Sequence, residues 1–352
     1  MNKTLTFSFL VCLLLTACSK QEPSYTSYSE AQQALQAVNL ALYPPPQLKH
    51  KGLLDEQLPF TDDYLTQRHY IYQQLMQMTL TEPQTAQVNY LVIAERFPER
   101  YFAWPAHTNV LTNLINLATS AADYQKVAQW LKFVQQQLVN AEQSNLKLNK
   151  IERNRLASYV TAAINDSDTP DQLLAQLQTF NEYLISYIPR GSVGLYGLAN
   201  GSAWYQSKVN YFSGQVHSPL QWLTIINQQL KNAQPQANED VVMVNQQQSF
   251  ILQFSNHAQR AAGLDWLTGY TDLPHMANRI ELTDYQTSLM LAMMETDVGI
   301  HIHAWTLPQA RINLIKRLQV SPETADQLVT NIVLFPAHAF SFYANAVNQD
   351  KI

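Results

Sequence analysis

An all-α fold, an irregular multi-helix bundle with one glycine-rich loop, is what three features of this 352-residue sequence predict. Apolar residues recur at helical rather than alternating spacing through most of the chain. Several helix starts are marked by Ser or Thr followed by Pro or by Gln three residues on. Glycine is scarce, 9 in all with five between Gly191 and Gly214, so most of the chain avoids the left-handed turns that hairpins need. Hydrophobic residues make up 46% of the chain, charged residues 14%, and the formal net charge is −5. Such a chain can bury a large core but has no basic face to gather phosphate backbones, which weighs against nucleic acid as a partner.

The first segment reads as an address. Met1–Asn2–Lys3 is a short basic start, Leu5 to Leu15 is an apolar run too short to span a bilayer, and Leu15–Thr16–Ala17–Cys18 closes it with small residues. This resembles a bacterial lipoprotein lipobox. The resemblance implies a signal peptide over 1–17, cleavage before Cys18, and diacylation of the Cys18 thiol. Cys12 would leave with the signal, so no disulfide is expected in the mature chain. Ser19 is not the aspartate that signals inner-membrane retention in enteric bacteria, so the expected location is the outer membrane, facing the periplasm. Residues 18–30 are expected to be a lipidated, flexible tether, because the stretch from Ser19 to about Ser29 is polar and carries Pro23.

An N-terminal helical region is expected over 31–190. Its helices are read at Ala31–Leu42, at Asp62–Leu80, from the Thr81–Gln84 capping box through Phe97, and at Asn109–Thr119, Asp123–Asn145 and Lys147–Ile164. Thr169–Pro170–Asp171–Gln172 repeats the start signal, with Pro170 at the first helical position. A C-terminal helical region, 191–352, is expected to pack on this half. It opens with the glycine cluster, where the backbone can approach a bound strand or another helix closely. Ser218 with Pro219 then starts a helix, as do Thr306–Gln309 and Ser321–Pro322.

The densest candidate chemistry lies in Asp297–Val298–Gly299–Ile300–His301–Ile302–His303–Ala304–Trp305 and the following Thr306–Leu307–Pro308–Gln309–Ala310. This stretch resembles the C-terminal signature of the bacterial domain-of-unknown-function 885 family. Those are zincin-like helical proteins, often lipoproteins, in which Asp-x-Gly-x-His leads into a Trp-Thr/Ser-x-x-Gln-Ala helix. The run from Gly201 to Tyr205, with Ser213, His217, Ser218 and Pro219 after it, is similar to the family's Gly-x-x-Tyr-Tyr segment and the helix cap beyond it. The likeness is best over Thr287–Ala346 and fair over Gly191–Leu230.

Working members of that group would carry His-Glu-x-x-Pro-Gly-His, two histidines on one helical face holding zinc beside a glutamate that polarises the zinc-bound water. The expected interval, Asn238 to Tyr285, holds only His257 and His275, and no His-Glu pair occurs in the chain. The family's Glu-Gly-Trp helix has its nearest counterpart in Leu264–Asp265–Trp266. Its Arg four before the signature Asp is Met293, its Pro-Gly-Gln-Ala is Pro336–Ala337–His338–Ala339, and its tyrosine after Ser341 is Phe342, with Tyr343 one place on.

Asp297, His301 and His303 remain as candidates for catalysis. On a helix Asp297 and His301 share a face, suited to a carboxylate–imidazole hydrogen bond or to two metal ligands, while in an extended segment His301 and His303 would share a side. The plainer reading is a buried polar pair in which Asp297 fixes His301. Gly201, Tyr205, Trp305, His338 and Tyr343 are the candidate binding residues. The resulting expectation is a lipid-anchored, periplasm-facing protein with a degenerate, zinc-free site. It would be a binding or accessory module for a peptide or envelope-protein ligand, using the groove between the glycine loop and the Asp297–His301 helix. The alternative is a peptidase-like metal-dependent hydrolase built on Asp297, His301 and His303 with a remote ligand such as His217, Asp265 or His338.

Overall fold

The computed structural model describes residues 23–42, 52–97, 110–233 and 282–347. Within them the chain is all-α, with three short 3-10 turns and one isolated parallel bridge between Asn149 and Arg190.

Helices α1 (Tyr28–Val38) and α2 (Asp62–Gln77) pack together, and α3 (Glu82–Ala94) folds back on α2. The start of α3 is fixed as the sequence predicts, the Gln84 side chain accepting from the Thr81 N–H at 2.9 Å. After α4 (Val110–Leu117), α5 (Ala121–Gln143) and α6 (Lys150–Asn165) both pack against α7 (Asp171–Ser186). At α7 the expected start shifts by one: Pro170 occupies the N-cap, and the Thr169 hydroxyl donates to the Ala163 carbonyl at 2.6 Å instead of capping. The expected tether is also shorter than its composition suggests. Residues 23–27 lie extended on α2, where the Gln74 amide accepts from the Tyr25 N–H at 2.8 Å and donates to the Pro23 carbonyl at 2.8 Å. Ser27 then caps α1, which starts three residues before the apolar periodicity does.

The second half surrounds one helix. The helices α8 (Gly201–Ser213) and α9 (Pro219–Asn232) precede it, α10 (Asp284–His301) is the helix itself, and α11 (Leu307–Leu318), α12 (Pro322–Leu334) and the short α13 (Tyr343–Val347) follow. Helix α10 packs against α9, α11, α12, α13 and the 3-10 turn His338–Phe342, and every residue from Thr287 to His301 is buried. Its run Leu289–Met290–Leu291–Ala292–Met293–Met294 leaves no polar side, the pattern of a helix at the centre of a bundle. The two halves meet where α12 packs on α6 and α8 packs on α3.

The end of α10 is closed by a left-handed turn. Ala304 takes φ +59°, and the Trp305 N–H returns to the Gly299 carbonyl at 2.9 Å, laying the indole across Gly299. A Cβ at residue 299 would overlap the indole ring. Gly299→Ala should therefore lose roughly 1–3 kcal/mol by overpacking. At the exposed Ala304, glycine should relieve the left-handed strain and gain about 0.5–1 kcal/mol. Urea unfolding of the two variants, expected to move in opposite directions, checks both.

Candidate functional site

Asp297 and His301 lie one turn apart on α10, 1% and 0% exposed, with Asp297 Oδ1 3.6 Å from His301 Nε2. Main-chain groups from other elements decide the state of the imidazole. The Leu195 N–H can only donate, and it donates to His301 Nδ1 at 3.1 Å; the Ile332 carbonyl can only accept, and it lies 3.1 Å from Nε2. His301 is thereby the neutral tautomer protonated at Nε2, with both nitrogens engaged. The Tyr205 ring stacks on it at 5.2 Å and 18°. Burial pushes the imidazole pKa down to about 3, with the Arg190 and Lys208 charges adding to the effect against the opposing hydrogen bond to Ile332.

Asp297 is held from the other side. Its Oδ2 accepts from the Ala337 N–H at 2.8 Å, while Oδ1 makes no hydrogen bond. Burial raises the carboxyl pKa well above the usual range; the nearby Tyr205 hydroxyl and the Ala337 amide oppose this less strongly. As placed, neither the Tyr205 hydroxyl nor Asp297 Oδ1 has a hydrogen-bond partner, so the tyrosine acts on the carboxyl by proximity. The result is a carboxyl whose charged form burial disfavours, beside a neutral imidazole with no lone pair left over.

The expected groove between the glycine loop and this helix is filled by their own contact. A Cβ at Gly194 would overlap the Ile300 carbonyl oxygen, and the next residue, Leu195, supplies the amide that binds His301. The close backbone approach read from the glycines is thus to another helix. The loop is pinned from behind by Arg190, whose guanidinium donates to the Ser192 carbonyl and to the Gly194 carbonyl at 2.7 Å, and whose Nε donates to the Lys147 carbonyl at 2.8 Å. The same guanidinium faces Glu152 at 3.4 Å, and the Asn149 N–H donates to Glu152 at 2.6 Å. Glu152 is fully buried, and its pKa is pushed up to about 7 because desolvation outweighs the pull of Arg190 and Asn149. Neither Arg190 nor Glu152 stands out in the sequence: they are 38 residues apart and form no motif.

Tyr205 joins the pair by stacking on His301, and the remaining candidates are dispersed. His303 is exposed beyond the end of α10. Gly201 and Tyr205 are buried in α8, and Trp305 is half-buried on Gly299. His338 is buried, its ring edge-on to Phe212 at 5.6 Å. Tyr343 stands edge-on to Trp222 at 5.0 Å, and His217 meets the same indole at 4.7 Å. Asp265, His257, His275, Cys12 and Cys18 lie outside the described residues. Among the described residues, no three His, Cys, Asp or Glu side chains gather closely enough to hold a metal ion.

The two buried groups set opposite pH limbs. His301 binds fewer protons folded than unfolded, so its contribution is full above about pH 6.5 and is lost as pH falls toward about 3. Asp297, with its pKa raised, keeps a proton that the unfolded chain releases, so its contribution declines as pH rises through the folded pKa. Between about pH 3.8 and 6.5 the two slopes oppose each other, so urea unfolding there should show, relative to the parent chain, stability falling with pH in His301→Gln and rising with pH in Asp297→Asn. Each change should approach about 1.4 kcal/mol per pH unit within its own window.

No family model matches this chain, and no curated protein does. A solved chain described as "the putative lipoprotein from Colwellia psychrerythraea" is similar in structure, with a TM-score of 0.55, 9% sequence identity, and 90% of this chain and 89% of that chain covered. At that identity the likeness is one of fold alone.

Proposed function

We propose that this is a lipid-anchored protein of the cell envelope that works as a binding or accessory module, through its outer surface and without a reactive centre. The observation that carries this reading is the state of His301. Both of its ring nitrogens are bound to main-chain groups, so a metal ion or a substrate proton would first have to displace Leu195 or Ile332. The lipobox-like Leu15–Thr16–Ala17–Cys18 supports the anchor on Cys18, and the lipoprotein designation of the Colwellia chain of like fold agrees with it. On this reading the outer membrane, periplasmic face, is the site of action.

The Asp-x-Gly-x-His signature and the Gly201–Tyr205 run support descent from the zincin-like architecture of the domain-of-unknown-function 885 type. In such a descendant the residues that once surrounded the chemistry would now hold the bundle together. The missing His-Glu-x-x-Pro-Gly-His helix fits the same history.

Elemental analysis of the chain from Ser19 onward, purified without a metal-binding tag, tests the proposal alongside Asp297→Ala and His301→Ala. The expected result is metal far below one equivalent in all three proteins, with each variant less stable by roughly 2–4 kcal/mol through orphaned buried hydrogen-bonding groups. Near-stoichiometric zinc that disappears in both variants would sink it and point to hydrolysis of peptide or ester substrates.

A further inference from the structure

The docked N-terminal segment shortens the leash between the fold and its anchor. Had residues 19–29 been free, the protein could have stood well off the bilayer. Instead Pro23 and Tyr25 are fastened to Gln74 on α2 by two hydrogen bonds of 2.8 Å each. Only four residues then lie between Cys18 and Pro23, five steps along the chain with a contour of at most about 18 Å. Whatever surface carries a lipid on Cys18 is held close to the C-terminal half of α2.

That part of the protein has the chemistry for such a neighbour. From Tyr70 to Thr81 the sequence Tyr-Ile-Tyr-Gln-Gln-Leu-Met-Gln-Met-Thr-Leu-Thr contains no charged residue, and neither does Pro23 to Ser29. Tyr70, Gln74 and Gln77 share one face of α2, and the partly exposed Tyr25 lies near Tyr70. Met76, 43% exposed, flanks the last turn. Tyrosine rings with a wet hydroxyl and an apolar body suit the headgroup boundary of a bilayer. A face without charge suits zwitterionic lipid and offers no electrostatic pull toward anionic lipid.

We infer that the face formed by Tyr25, Tyr70, Gln74 and Gln77, together with the last turn of α2, is the surface this protein lays against a zwitterionic bilayer. The inference rests on the lipid anchor at Cys18. It fixes the orientation of the molecule, since the remaining surface then faces away from the membrane carrying the anchor.

Full-length lipidated protein in phosphatidylcholine vesicles provides the test, with the lipid on Cys18 verified by mass spectrometry. With Cys18 acylated and Cys12 removed with the signal, an introduced cysteine is the free thiol available for a fluorophore. A label at Gln77→Cys should be quenched by headgroup-quencher lipid at least about threefold more than one at Ile312→Cys on α11. Adding Gln74→Ala, which frees Pro23 and Tyr25, should bring that ratio toward one. Equal quenching at both positions in a chain whose lipid is verified overturns the orientation and leaves the anchor standing. A chain found without lipid on Cys18 overturns both.

Discussion

A helix buried on every side cannot leave any polar group to water, and that constraint on α10 organises the structure around it. Ser288, Glu295, Asp297 and His301, polar side chains of its buried stretch, are each answered from outside the helix. The Ser288 hydroxyl donates to the Ala233 carbonyl at the end of α9 at 2.8 Å. Glu295 takes a forked contact from Arg317 at 2.9 and 2.6 Å and a third bond from Asn313, both residues of α11. Asp297 reaches Ala337, while His301 reaches Leu195 and Ile332. Apolar packing alone would tolerate small rotations of α10, but these bonds together admit one register, since slipping by one residue would orphan several buried groups at once.

The Asp297–His301 pair belongs to this scheme. In water an acid and an imidazole four residues apart would share a charge-assisted bond. Here desolvation disfavours both charged forms, and the bonds that matter run outward to main-chain groups from the glycine loop, α12 and the turn at Ala337. Ala337 itself takes φ +65°, in the left-handed region that favours glycine. Its amide is the one that Asp297 accepts, so the hydrogen bond helps hold an alanine in a backbone conformation that costs about 1–2 kcal/mol.

Much of the helical framework was legible because capping is local. Thr306–Gln309 forms the reciprocal bonds that its spacing predicts, Gln84 accepts from the Thr81 N–H, and Ser218 caps its helix by accepting from the Gln221 N–H. Pro170 misled by one position because its ring fits the N-cap as well as the first turn. The helical pairing of Asp297 with His301 was legible too, but not the destination of their hydrogen bonds, since Leu195 lies 106 residues away. Non-local contact also explains the tether: nothing in a polar stretch around Pro23 announces that a glutamine 51 residues later will bind its backbone. The glycine cluster disclosed a close approach without saying to what, because glycine reports only the absence of a side chain.

The burial of α10 carries a consequence for assembly. The helix follows α8 and α9 in the chain but precedes α11, α12 and α13, so a growing chain exposes its Leu-Met-Leu-Ala-Met-Met run before half of its cover exists. Its bonds to Leu195 and Ile332 span 106 and 31 residues, so the cage can close only after distant parts have met. Long-range closure of this kind slows folding and prolongs the exposure of apolar surface. Until those later elements have been made, the apolar run of α10 is open to a holding chaperone, and its burial is the step that ends that exposure.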